Sequence, residues 1–118
     1  MPARGEQDPA DVVTMRETAR RALGLGEPPR ADELDLLLAQ LRGQLAVMIP
    51  EVESLAGRRL PGGEQAAGAA LACAREARRL PQVSDRQAPD EGADLARRLA
   101  RALTALCDHH DILDHDRS

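Results

Sequence analysis

The chain has 118 residues, a formal net charge of −4, and no Phe, Tyr or Trp. The negative charge and the missing rings argue against a nucleic-acid partner, which needs a positive field or an aromatic stacking surface. No apolar run approaches the roughly 18 residues of a membrane span, and the polar N-terminal residues lack the apolar segment of a secretory signal. We therefore expect a single domain in the cytoplasm, with no membrane contact.

The absence of rings also bears on stability. A core of Leu, Ala, Val, Ile and Met lacks the large buried area that each aromatic ring supplies. We expect an isolated chain of modest stability and a homodimer that buries the remaining leucines. All sixteen basic residues are Arg, which we attribute to GC-rich coding rather than to a selected chemistry.

The first helix is expected after a loosely ordered segment, residues 1–8. Either Asp8, followed by Pro9, or Asp11 supplies an N-cap acceptor, and the helix then runs to about Leu23. Glycines just beyond it supply the stop. The expected apolar face consists of Val12, Met15, Ala19, Ala22 and Leu23.

The central segment, residues 31–56, carries the strongest pattern in the chain. Its apolar residues alternate steps of four and three, which places them on one face of a long helix. Pro50 has no N–H for the carbonyl of Ala46, so a kink or a break is expected there. The stripe consists of Leu34, Leu38, Leu41, Leu45, Met48, Val52 and Leu55, widened by Leu37 and Ile49.

Two further helices complete the chain. Residues 64–80 form a third helix whose expected core face is Ala66, Ala70, Cys73, Ala77 and Leu80, extended by Leu71 and Ala74. Residues 81–92 form a polar loop with two prolines that we expect to be flexible. Asp90 is a candidate cap for the last helix. Its expected core face is Leu95, Leu99, Ala102, Leu103, Leu106 and Leu113. The predicted fold is an all-α antiparallel bundle of about four helices, one domain over residues 1–118, with a long, Pro-kinked central helix.

The C-terminal stretch contains all three histidines among several carboxylates. Asp111 and His115 lie one helical turn apart, as do His110 and Asp114, so either pair is spaced to touch one ion. A solvated helix end whose histidines favour the negative dipole explains the same residues. We favour the second reading and predict neither a metal site nor a cofactor.

Arginine pairs suggest an anion site. Arg75, Arg78 and Arg79 are spaced to converge with Arg97 or Arg101 on a phosphate or a carboxylate. Helix faces balanced by Glu and Asp explain the same residues, and we favour that reading.

A third candidate lies beside Pro50. A kinked helix can open a small cavity, here lined by Arg42, Glu51 and core leucines. Cys107 is next to Asp108 and His109, but sequence neighbours on a helix point apart, so we read it as a packing residue. No motif singles out an enzyme, and we predict no catalytic residue.

Three segments resemble a little-studied family of short, all-helical actinobacterial proteins, some of them labelled natural-product biosynthesis proteins. The resemblance is carried by Leu41-Arg42-Gly43, Pro50-Glu51-Val52-Glu53 and Leu106-Cys107-Asp108-His109, within residues 14–23, 31–56 and 96–111. It implies a helical protein encoded near secondary-metabolite or regulatory genes. It implies no reaction.

The function we expect is that of a non-catalytic accessory or protein-interaction module, linked to natural-product biosynthesis or its regulation. Its partner would be a biosynthetic enzyme or a carrier protein. The alternative is a small enzyme or ligand-binding bundle with a cavity near Pro50. Candidate ligand-binding residues are Arg42, Glu51, Arg75, Arg78, Asp108 and His109.

Overall fold

A computed structural model describes residues 11–24, 30–60, 64–80 and 89–117 of the chain. Within these ranges the structure has four α-helices and no strand, which confirms the all-α prediction. The helices are α1 (Val12–Leu23), α2 (Ala31–Arg59), α3 (Gln65–Arg78) and α4 (Pro89–Arg117). No helix in the described ranges has an apolar stretch long enough to cross a membrane.

The cap of α1 is Asp11, one of the two candidates. Its carboxylate accepts a hydrogen bond from the Thr14 amide at 3.1 Å and another from the Thr14 hydroxyl at 2.8 Å. These bonds satisfy an amide that has no partner inside the helix, and they lower the pKa of Asp11. Asp8 and residues 1–8 lie outside the described residues. At the other end, the Gly24 amide donates to the Arg20 carbonyl at 3.0 Å.

The central helix α2 runs without a break from Ala31 to Arg59 and includes Pro50 in its interior. The break expected as one alternative near Ala46–Pro50 is therefore wrong, and a kink there stays a prediction. Pro50 is exposed on the outer side of the helix, while its neighbours Ile49 and Val52 are buried. The apolar stripe thus passes the proline without interruption.

The last helix, α4, begins at Pro89, inside the stretch 81–92 that we predicted as a loop. The loop prediction is wrong for residues 89–92, and residues 81–88 lie outside the described residues. Proline suits the first position of a helix, where its missing N–H would have no partner in any case. Asp90 therefore lies in the first turn rather than at the cap.

The two long helices, α2 and α4, run parallel and share the most extensive contact between any two helices of the described residues. Leu34 lies beside Gly92 near the start of both helices, since a Cβ built on Gly92 would stand 2.7 Å from Leu34 Cδ2. Towards the other end, Glu51 lies 3.6 Å from His110. Both contacts follow the same order along the two helices, so this pair is the short diagonal of an up-and-down bundle.

The shorter helices α1 and α3 flank this diagonal. Each packs against both long helices and hardly against the other. Two contacts show that α1 and α2 are antiparallel. In the first, Gln44 Nε2 donates to Thr18 Oγ1 at 3.0 Å. The second joins Arg21 to Gln40 at 3.4 Å. The predicted antiparallel arrangement therefore holds for neighbours along the chain.

The core is made of aliphatic side chains and is continuous through all four helices. The predicted faces of α2 and α4 are buried, except that Ala102 is only partly so. Leu23, expected on the core face of α1, is 41% exposed, and Thr18 is buried in α1 instead. The buried residues of α3 are all alanines: Ala67, which was not predicted, with Ala70, Ala74 and Ala77. The other members of the expected face are only partly buried: Ala66, Leu71, Cys73 and Leu80.

Replacing Pro50 with Ala should raise the free energy of unfolding, by up to about 3 kcal/mol, because it restores the donor to the Ala46 carbonyl and removes the ring. Urea denaturation measures the change. Pro89→Ala is the matched control and should alter stability by less than about 0.5 kcal/mol, since that proline occupies a first helical position. A loss of stability in Pro50→Ala would contradict the expectation.

Two glycines should respond in opposite ways to a methyl group. Gly43 has nothing within 4 Å of an added Cβ, so Gly43→Ala should raise the free energy of unfolding by about 0.5–1 kcal/mol through helix propensity. Gly92→Ala forces Leu34 to move and should come out at least about 1 kcal/mol less stable than Gly43→Ala. Equal stabilisation by both changes, measured by thermal or urea unfolding, would disprove the close contact of α2 with α4.

Candidate functional site

The first candidate site is an open groove of about 370 Å³ formed by α2, α3 and α4, which we call the Pro50 groove. Its lining residues are Arg42, Leu45, Ala46, Ile49, Pro50, Ala77, Arg78 and Leu99. The prediction of a cavity beside Pro50 lined by Arg42 and leucines is therefore matched in position. Glu51 is not among the lining residues, and the space opens to solvent instead of being enclosed.

The backbone at this groove has an unusual acceptor. Pro50 carries no N–H, so the Ala46 carbonyl loses the donor that an interior residue of the helix would provide. Ala46 and Pro50 are both exposed and both line the groove. The residue whose carbonyl lacks its helical donor, Ala46, therefore lines the groove together with Arg42 and Arg78.

Arg78 forms the best-aligned ion pair of the described residues. Its Nε and Nη2 donate to the two carboxylate oxygens of Glu53 at 2.8 and 2.6 Å, a bidentate bridge that joins α3 to α2. This hydrogen bonding lowers the pKa of Glu53, and the charge of Arg75 lowers it further.

Two of the other arginines expected at an anion site, Arg79 and Arg97, are also paired with carboxylates, and Arg101 is exposed. Arg79 lies 3.7 Å from Glu76, and Arg97 lies 2.9 Å from Asp94. Arg75 is exposed. The arrangement corresponds to the balanced helix faces that we favoured, with Arg78 alone placed in a groove.

A second polar cluster joins α1 to α4. Arg16 Nη2 lies 2.8 Å from Asp111 and 2.9 Å from Asp108, and the hydrogen bond to Asp111 is the main cause that raises the pKa of Arg16. Asp108, a candidate ligand-binding residue, is thus engaged in a bridge between helices. Such a bridge fixes how α1 sits on α4.

Glu51 meets a histidine instead of Arg42. His110 Nε2 lies 3.6 Å from Glu51 Oε2, and its Nδ1 lies 3.9 Å from Asp111 and has no hydrogen-bond partner. His109 is half-buried and has no polar partner among the described side chains. Glu51 therefore contacts His110, Asp108 contacts Arg16, and none of Glu51, Asp108 and His109 is among the described residues that line the Pro50 groove.

The cysteines are free and poorly reactive. Burial raises the pKa of Cys107 to about 11 and also raises the pKa of Cys73. A thiol that stays protonated at neutral pH is a weak nucleophile, which agrees with Cys107 as a packing residue. Among the described residues, no three His, Cys, Asp or Glu side chains are grouped to hold a metal ion, and the side chain of His115 lies outside that description.

Sequence reasoning missed a second groove, of about 520 Å³, which we call the α1–α2 groove. Its lining residues are Arg20, Arg21, Gly24, Glu33, Leu36, Leu37 and Gln40. Leu36 is 60% exposed although Leu37 beside it is buried. The available signal was Leu36 itself, the one residue of the leucine run 36–38 that lies off the predicted core stripe.

Comparison with known proteins places the chain in a family. The profile of DUF6415, a family of unknown function, matches residues 13–115. This chain belongs to the DUF6415 family. The match includes all four helices and both grooves, and it agrees with the expected resemblance to an uncharacterised family. Neither the curated proteins nor the solved structures include one that matches the chain.

The Glu53–Arg78 bridge of this DUF6415 protein should make stability depend on acid. Arg78 holds the folded-state pKa of Glu53 below its ordinary 4.5, so the stabilisation is complete above that value and is lost as the pH falls through the folded-state pKa. Urea denaturation should show that Glu53→Gln costs stability at neutral pH and progressively less below pH 4.5. In a protein that already carries Arg78→Gln, Glu53→Gln should change the free energy of unfolding little at any pH. If Glu53→Gln in the protein with Arg78 cost as much stability at acidic pH as at neutral pH, that result would contradict the bridge.

Proposed function

We propose that this DUF6415 protein is a non-catalytic interaction module that binds another protein in the α1–α2 groove. The observation that supports it is Leu36, a large apolar side chain left 60% exposed in a groove beside buried Leu37. Exposed apolar surface rimmed by charged residues is typical of protein contact sites.

The described lining residues of the groove include two arginines and one carboxylate, Glu33, and this excess of positive charge favours an acidic partner. Arg20 and Arg21 form the α1 side of the groove and both are exposed. Among the described residues, Arg20 has a long contact of 3.6 Å with Glu17, and Arg21 a 3.4 Å contact with the uncharged Gln40. A partner segment with one apolar anchor beside carboxylates would complement Leu36 and this rim.

The non-catalytic part of the proposal is supported by how the titratable groups are used. Glu53, Asp108 and Asp111 are engaged by arginines between helices, and Cys107 is held as a neutral thiol. Structural pairing of this kind leaves such groups poorly placed to serve as nucleophile or base. A second candidate, a ligand-binding bundle, is supported by the Pro50 groove.

The proposal includes the setting that the resemblance implies: an accessory protein of natural-product biosynthesis or its regulation, in an actinobacterial cytoplasm. An acidic carrier protein or an acidic surface of a biosynthetic enzyme has the required chemistry. The homodimer expected from the ring-free core stays a prediction, and a second copy is the competing occupant of the same groove.

Photo-crosslinking in the cell that naturally makes this protein tests the proposal. A benzoylphenylalanine at position 36 should give a covalent adduct whose partner peptide, identified by mass spectrometry, contains an apolar residue flanked by Asp or Glu. The matched control places the crosslinker at exposed Leu60, near the far end of α2, and should give no such adduct. Replacing both Arg20 and Arg21 with Gln should reduce the adduct at least about fivefold, because charge-assisted contacts are lost.

The same exposed-arginine change on α4, Arg98→Gln with Arg101→Gln, should leave the adduct unchanged. An adduct between two copies of the chain would overturn the proposed partner in favour of self-association. The absence of any adduct specific to position 36, in a variant shown by circular dichroism to be helical, would overturn the proposal altogether.

A further inference from the structure

We infer that the Pro50 groove binds a small organic acid, a carboxylate on an apolar chain. The described lining residues of the α1–α2 groove and of the Pro50 groove do not overlap, so a result that contradicts one proposal leaves the other unaffected. Three features of the groove carry the inference: its charge, its apolar floor and the carbonyl of Ala46.

The charge of the groove favours an anion. Its described ionisable lining residues are Arg42 and Arg78, and none of the described residues that line it is a carboxylate. Arg78 uses Nε and Nη2 for Glu53, and its Nη1 has no carboxylate partner among the described residues. A guanidinium is a strong partner for a carboxylate, because the hydrogen bonds are charge-assisted.

The floor favours an apolar chain. Leu45, Ile49, Ala77 and Leu99 line the groove and are otherwise buried in the core. Their methyl groups come from three different helices, so the floor depends on the packed bundle. The volume of about 370 Å³ lies within the roughly 300–1,000 Å³ usual for small-molecule sites.

The third feature is the acceptor created by proline. An interior proline costs a helix about 3 kcal/mol relative to alanine, and exposed Pro50 fills no core space to offset this. Departures from local rules of this kind are expected at functional sites. A hydroxyl near the ligand carboxylate would donate to the Ala46 carbonyl, so a hydroxy acid should bind better than the plain acid.

Titrations followed by amide NMR shifts test the charge and the floor. Octanoate should give saturable shifts at the groove residues, while 1-octanol and octylammonium, with the same chain, should bind at least about tenfold more weakly. Arg42→Gln should weaken octanoate binding about tenfold. Arg98→Gln, an exposed arginine outside the groove, is the matched control and should bind as the wild type does.

Octanoate and 3-hydroxyoctanoate test the carbonyl. The wild type should prefer the hydroxy acid about fivefold, the size of one neutral hydrogen bond, and Pro50→Ala should lose that preference while remaining folded. A preference that persists in Pro50→Ala overturns the role of the Ala46 carbonyl. Any of three results would overturn the organic-acid site. Octanol could bind as well as octanoate, Arg42→Gln could leave octanoate binding unchanged, or the groove residues could show no saturable shift.

Discussion

The contact between α2 and α4 is the interaction on which the rest of the structure depends. Each helix has 29 residues and is about 43 Å long, which matches the 45 Å length of the molecule. With 12 and 14 residues, α1 and α3 are too short to form a core of their own, and each packs on both long helices. The close approach at Gly92 lets the parallel pair act as the short diagonal, which keeps the bundle only 22 Å thick.

Ion pairs then determine where the short helices sit. Arg16 ties α1 to α4 through Asp108 and Asp111, and Arg78 ties α3 to α2 through Glu53. These side chains are partly exposed, so each pair adds little net stability and mainly selects one arrangement over others. The selection matters because the buried residues of α3 are all alanines, and small side chains interlock less than large ones.

Spacing in the sequence predicted the helices because a 3.6-residue repeat depends on local geometry alone. The stripe from Leu34 to Leu55 is buried as expected, since its period places it on one face whatever packs against it. Proline was harder to read: Pro50 was expected to kink or break a helix that continues through it, and Pro89 was assigned to a loop although it opens α4. The site was only partly predictable. Arg42 and Glu51 are nine positions apart on α2, which places them on opposite faces of that helix, whereas the contact of Glu51 with His110 depends on how α4 is rotated against α2.

The two grooves lie along the same helix, and this limits how their occupants can influence each other. Leu36 and Pro50 are 14 positions apart on α2, about 21 Å along its axis, and the grooves have no lining residue in common. Two occupants would therefore not compete for the same described side chains. Coupling between them would require a change in α2 itself, and Pro50 is the point where the helix lacks a backbone hydrogen bond and bends most easily. A ligand that donates to the Ala46 carbonyl would act on that point, so any effect on the α1–α2 groove would have to be transmitted along α2 from there.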